Sequence, residues 1–253
     1  MKFDISPILE QWDYQPGQVV VRQFKAKDGV EKIQLRVDLG LLQMNAQGRP
    51  DGKHPYGHES LFEHYQALHA RFRREHAHDG AEFRLSAEDC GRLQQEAIQY
   101  HHRYICLFQL EDFAGVIRDS ERNMRVFDFV KSHAETEELA WSLEQFRPQL
   151  LMMRLRARGA IALKQDRFDD VIQMVELGLE EIRHFYEASG RQDLLAQSGE
   201  IQSLEAWLEE IRNRRPLSRR EKLELALNEA VRNEDYEKAA KVRDALKNLK
   251  SEK

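Results

Sequence analysis

Histidine is dense between residues 54 and 78, at positions 54, 58, 64, 69, 76 and 78, and imidazoles at suitable separations hold metal ions. The usual helical clamp needs two histidines at i and i+4 on one face. His64 and His69 miss that spacing by one residue, so these side chains read as loop and helix-surface groups and no metal site is assigned. The run Gly48-Arg-Pro-Asp-Gly-Lys-His-Pro-Tyr-Gly-His58 brings together Arg49, Asp51, Lys53, His54, Tyr56 and His58, as a binding loop would. Its glycines match no phosphate-cradling pattern, and a structural cover over a neighbouring sheet is the preferred reading. Arg212, Arg214, Arg215, Arg219 and Arg220 surround Pro216. Such a cluster can neutralise phosphates, or equally it can favour the end of the preceding helix and keep a linker solvated. The paired carboxylates at Glu137-Glu138, Glu180-Glu181 and Glu209-Glu210 read as solvated helix faces. Cys90 and Cys106 are too far apart for a CxxC pair, and no Ser-His-Asp or Cys-His arrangement or glycine-rich strand-to-helix loop is present. No catalytic residue and no cofactor is assigned, and the chain is read as non-enzymatic.

The elements that must carry these residues follow from composition. The 253 residues can bury a substantial core, in one or two domains. Charged residues make up 33% of the chain and glycine and proline are sparse, which suits long solvated helices. A net charge of -5 argues against the whole surface serving as a nucleic-acid platform. No window approaches a membrane-spanning helix, and the start, Met-Lys-Phe-Asp-Ile-Ser-Pro, has no apolar run of signal length. A soluble cytoplasmic protein with no membrane partner is expected.

In chain order, Ser6-Pro7 opens a short helix through Ile8, Leu9 and Trp12. Residues 18–38 read as a β-hairpin closed by Asp28-Gly29 as a two-residue turn. That register sets Phe24 opposite Ile33, Arg22 opposite Leu35 and Val20 opposite Val37. One face is then largely apolar and packs on the helices that follow, while Gln23, Lys25, Lys32 and Gln34 take the other. Residues 43–59 carry too much glycine and proline for a regular element. Ser60 with Glu63 forms a capping box for a helix through Leu61, Tyr65, Leu68 and Phe72. Beyond Ser86, helices are expected over 87–109, 113–132, 136–164, 168–187, 193–213, 219–232 and 236–250. Three domains result: an α/β cap over 1–85, a helical array over 86–213 and a terminal hairpin over 214–253.

A joint recurs in the helical part. Leu110-Glu-Asp-Phe113, Gln165-Asp-Arg-Phe168 and Glu234-Asp-Tyr236 are each a short acidic turn followed by an aromatic that begins a helix. Small residues at Gly159 and Gly178 flank the middle copy, and the stretch from Leu155 to Leu179 resembles one tetratricopeptide repeat, without that motif's usual aromatics. The aromatics fall at unequal intervals, so a regular solenoid does not follow. The fold class expected is mostly α: stacked antiparallel helical hairpins, tetratricopeptide-like, with a small N-terminal β-hairpin and a C-terminal helical hairpin.

In that last hairpin, apolar residues at 223, 227, 230 and 231, then at 236, 239, 240, 246 and 249, lay one stripe on each of two helices, with a break at Asn233-Glu-Asp235. Ser218 with Glu221 caps the first helix, and Ala239-Ala240 allows the partner helix to approach closely. The run Glu234-Asp-Tyr236-Glu-Lys-Ala239-Ala240-Lys-Val-Arg243-Asp244, preceded by Ala230-Val231 and followed by Leu246, resembles the UVR motif shared by the excision-nuclease subunits UvrB and UvrC. The resemblance covers only the C-terminal end of the chain. It implies a short antiparallel hairpin that docks against another such hairpin, and it implies no chemistry. Partner binding is accordingly expected from Tyr236, Ala239, Ala240, Val242, Arg243 and Leu246, with Asp235 and Asp244 fixing orientation. The function expected is a non-enzymatic adaptor or regulator binding another protein, or a second copy of itself, through this hairpin. An accessory excision-repair factor associating with nucleic acid or with UvrB/UvrC-type proteins is the alternative.

Overall fold

The computed structural model describes residues 4–251, with side chains through residue 247; Met1–Phe3 and the Leu249 side chain of the expected stripe lie outside the described residues. The chain divides into two compact units, one up to Ala206 and one from Trp207 onward. The fold is mostly α-helical, with a small antiparallel sheet near the start and a helix pair at the end.

The first unit begins with the short helix α1 (Ser6–Leu9), which carries Pro in its first turn. The sheet has three strands in the order β1 (Val20–Lys25), β2 (Glu31–Val37) and β3 (Gly40–Asn45). Two sequence expectations need correction here. A third strand follows the hairpin, and the register is one residue away from the expected one: Phe24 pairs with Lys32, Arg22 with Gln34 and Val20 with Arg36. The cause is the turn. Ala26 N–H donates to Val30 at 2.9 Å and Gly29 N–H to Ala26 at 2.9 Å, with Gly29 at φ +82, so the loop holds three residues and ends on a left-handed glycine. Shifting the register by one changes which cross-strand neighbours share a face. Val21 now lies opposite Leu35, and Phe24 is left 37% exposed on the side of Gln34 and Arg36. On that polar side Arg22 Nε donates to Gln34 at 2.7 Å and Gln34 donates to Gln43 at 2.7 Å, one side-chain ladder across all three strands. The opposite face, with Ile33 and Met44, is buried in the helical core as expected.

Helix α2 (Leu61–Glu75) starts at Ser60, whose hydroxyl accepts from Glu63 N–H at 3.3 Å. Helix α3 (Ala87–Gln109) has a full capping box between Ser86 and Asp89. It pairs with α4 (Phe113–His133), and α6 (Arg147–Leu163) pairs with α7 (Phe168–Ala188), with α4 also packed on α6. The expected helix over 136–164 is in fact two. A short α5 (Glu137–Glu144) ends before Pro148, which cannot donate a backbone hydrogen bond and sits in the first turn of α6. Likewise 193–213 resolves into a 3-10 turn at Gln192–Gln197 and α8 (Gly199–Arg214). One core joins the sheet to the helices through Ile33, Phe62, Leu93, Leu107, Val116 and Leu150.

The recurring acidic joint has a single geometry. Glu111, Asp166 and Glu234 all have φ between 56 and 58, in the left-handed region. At the first joint Glu111 N–H reaches Phe108 and Asp112 N–H reaches Leu107; at the second Asp166 N–H reaches Leu163 and Arg167 N–H reaches Ala162. At the third, Glu234 N–H reaches Val231 and Asp235 N–H reaches Ala230. Each is a helix stop that satisfies the last carbonyls and reverses the chain, the Schellman pattern, with an acidic residue where glycine is commonest. Lys164 beside the second joint lies 2.7 Å from Glu111 of the first and over the Phe113 ring, so two stacked hairpins meet at their turns.

Candidate protein-docking hairpin

The second unit contains α9 (Arg219–Arg232) and α10 (Tyr236–Ser251), packed on each other. Ser218 and Glu221 form a complete capping box: Glu221 N–H donates to the Ser218 hydroxyl at 3.2 Å, and Ser218 N–H to the Glu221 carboxylate at 2.8 Å. Arg215 also pairs with that carboxylate. The Arg215 guanidinium, with the Ser218 hydroxyl and amide, brings the Glu221 carboxyl down to about 2. At the turn, Asp235 accepts from Lys238 N–H at 3.0 Å and so caps α10.

Burial sorts the expected docking residues into two groups. Ala239, Ala240, Val242 and Leu246 are half-buried, as residues on or beside a helix crossing would be, and Ala230 of α9 is 1% exposed. Tyr236, Arg243 and Asp244 are exposed; Tyr236 is 71% exposed at the start of α10, and Arg243 lies 3.3 Å from its neighbour Asp244. Val231, 54% exposed, and Leu225, 55% exposed, were not among the expected docking residues. Val231 follows the buried Ala230 by about 100° around the helix, so a stripe centred on Ala230 leaves Val231 at its edge. That offset was legible in the sequence.

The other groups singled out from sequence are occupied within the protein. Arg49 of the 48–58 loop has its Nε 2.9 Å from Glu96, which is fully buried on α3, and lies 3.2 Å from Asp51. Glu96 also accepts from the amides of Leu61 and Phe62 and pairs with Arg122. A carboxylate at the positive end of α2 thus joins loop, α2, α3 and α4. Arg103 holds the loop again, donating to Asn45 at 3.1 Å and Gly48 at 2.7 Å. Tyr56 stacks on His64, with ring centroids 4.2 Å apart, and accepts from Arg92 at 3.2 Å. Among the described residues no group of three or more His, Cys, Asp or Glu side chains is placed to hold a metal ion. The ring centroids of His69 and His133 lie 4.4 Å apart, and burial, with His133 and Arg73 nearby, lowers the His69 pKa. Burial pushes the Cys90 thiol up to about 11 and the Cys106 thiol up to about 12, so neither is a ready nucleophile. In the arginine run, Arg212 pairs with Glu209, Arg214 with Glu210, Arg215 with Glu221 and Arg220 with Glu224. No helix among the described residues is long and apolar enough to cross a membrane.

No curated protein and no solved structure matches the chain. The family described as the UvrB/uvrC motif matches residues 218–252, the span of the capped hairpin.

Proposed function

We propose that this chain is a non-enzymatic interaction protein, an adaptor or regulator acting in the cytoplasm, whose terminal hairpin docks on another protein or on a second copy of itself. The observation that carries this reading is the UvrB/uvrC motif over 218–252, which coincides with a helix pair capped at the start and the turn. In this reading Ala239, Ala240, Val242 and Leu246 keep the two helices close, and Tyr236, Arg243 and the exposed Val231 meet the partner. Asp235 and Asp244 set its orientation. The stacked hairpins of α3, α4, α6 and α7 act as a tetratricopeptide-like scaffold that takes a further protein.

Light scattering of the full chain across a concentration series, beside partner capture from host lysate, tests this. Tyr236→Ala should reduce self-association or capture by tenfold or more, a loss of about 1.4 kcal/mol, while Lys241→Glu should leave both unchanged. Equal behaviour of the two variants rejects the docking role. The alternative, an accessory excision-repair factor on nucleic acid, draws on the same motif and the arginine run. Its signature is an electrophoretic shift of DNA at low salt that fades steeply as salt rises. The glutamate partners of Arg212, Arg214, Arg215 and Arg220 count against it.

A further inference from the structure

A cavity of about 180 Å³ opens between α3, α4 and the start of α6. Ala97, Ile98, Tyr104, Phe127, Phe146 and Leu150 supply its apolar wall, and every residue lining it is uncharged, in a chain that is 33% charged. Two of the wall residues stand well out in solvent, Ile98 at 45% and Phe146 at 46% exposed. Phe146 is there because the chain breaks between α5 and α6, ahead of Pro148.

The polar groups in the lining are neutral: Gln94, His101, Tyr104, Asn123 and Gln149. Asn123 is satisfied by the protein, donating to Ala97 at 2.9 Å and accepting from Arg122 at 3.1 Å. His101 Nδ1 lies 2.7 Å from the Tyr104 hydroxyl, which leaves its second ring nitrogen available. Burial, with His102 adjacent, lowers the His101 pKa to about 4, so the imidazole is uncharged at neutral pH. A concave site with an apolar wall, neutral polar groups and one buried, uncharged histidine has the makings of a ligand pocket.

We propose that this cavity is a binding site for a small uncharged aromatic molecule with one hydrogen-bonding group, such as a hydroxyl. Three observations select that class. An engineered, dry cavity of about 150 Å³ lined by Leu, Ile and Phe takes up benzene, and this one, open to solvent beside Ile98 and Phe146, is slightly larger. Tyr104, Phe127 and Phe146 offer rings for edge-to-face or offset packing, which a saturated ring of equal size does not match. The uncharged lining gives no return for stripping water from an ion, so a charged ring is rejected. The site is independent of the terminal hairpin.

The test uses the full-length chain and phenol as probe, with benzoate and cyclohexanol as the charged and saturated comparators, followed by two-dimensional NMR. Phenol should shift the His101 ring signals and the amides of Ile98 and Phe146, with benzoate and cyclohexanol each at least tenfold weaker. Ile98→Trp narrows the mouth and Phe146→Ala removes a wall; both positions are half exposed, so the fold should survive either change. Each should weaken phenol at least fivefold. The proposal is overturned if phenol at about 10 mM, enough to fill most sites of millimolar affinity, moves none of these signals. It is overturned equally if benzoate or cyclohexanol binds as tightly as phenol, or if both folded variants bind phenol like the parent.

Discussion

Arg103 on α3 and Asp119 on α4 meet in a two-pronged contact inside the helical core, with Nε 2.6 Å from Oδ2 and Nη2 2.8 Å from Oδ1, and each side chain only 1% exposed. Arg103's remaining nitrogen, Nη1, holds the carbonyls of Asn45 and Gly48. One buried ion pair therefore ties the α3/α4 hairpin to the end of β3 and the loop after it.

Removing Asp119 leaves Arg103 charged and buried without a carboxylate partner, whereas the converse change leaves Asp119 with Arg118 Nε still 2.9 Å away. Asp119→Ala should cost about 3–5 kcal/mol, measured as a drop in denaturant midpoint. Arg103→Lys should also destabilise, because an ammonium cannot bridge both carboxylate oxygens and both carbonyls at once. Parent-like stability in Asp119→Ala contradicts the burial of this pair.

The three acidic joints differ at the residue that starts the next helix. Asp112 accepts from Gly115 N–H and Asp235 from Lys238 N–H, whereas Arg167 makes no side-chain cap for α7. Arg167→Asn should supply the missing cap and stabilise by roughly 1 kcal/mol. Its exposed ion pair with Asp170 is lost, but such pairs contribute little. A lowered melting temperature would show that Arg167 has a role other than starting the helix.

Gly178 on α7 lies against Leu155 on α6. A Cβ at 178 would overlap the end of the Leu155 side chain, itself only 5% exposed. Gly178→Ala should cost about 1–3 kcal/mol through overpacking. Combined with Leu155→Ala, whose shortened side chain makes room, the double variant should lose less than the sum of the two single losses. Additive losses would mean that the two residues do not meet at this crossing.

Glu221 predicts a pH response in the hairpin. Its carboxyl sits at about 2 in the folded chain against an ordinary 4.5. The lowered value means that the folded state favours the carboxylate, so its stabilisation is complete above about 4.5 and is lost as pH falls through about 2. The Ser218 amide signal should follow that acid transition in NMR. In Glu221→Gln it should stay flat over the same range.

Phe168 illustrates a limit of periodicity. Its place at the head of α7 marks it as a buried aromatic, with a loss on truncation to Ala of about 3–5 kcal/mol. It is only half-buried, while Val171 and Val175 are fully enclosed. Phe168→Ala should therefore cost closer to 1–2 kcal/mol, scaled to the smaller area withdrawn from water, as checked by thermal melting.

What the sequence determined by itself was local. Ser86, Ser218 and the acidic joints set helix ends through bonds spanning five residues or fewer, so the α3/α4, α6/α7 and α9/α10 hairpins were legible, as was the terminal motif. Pro148 also carried its signal in plain view, and only the strength of the surrounding apolar pattern concealed the break. The tertiary structure decided what depends on partners far along the chain. Asp28-Gly29 is compatible with two-residue and three-residue turns; the three-residue turn puts Val21 opposite Leu35, and both pack against the helical core. Asp38-Leu39 carries no glycine to announce a turn, so β3 was missed. Nothing in the sequence singles out Glu96, Arg103, Asp119 and Arg122 from the other charges on their helices. Whether such a group faces water or an opposite charge is settled by which face another helix covers, and no spacing within α3 or α4 contains that information.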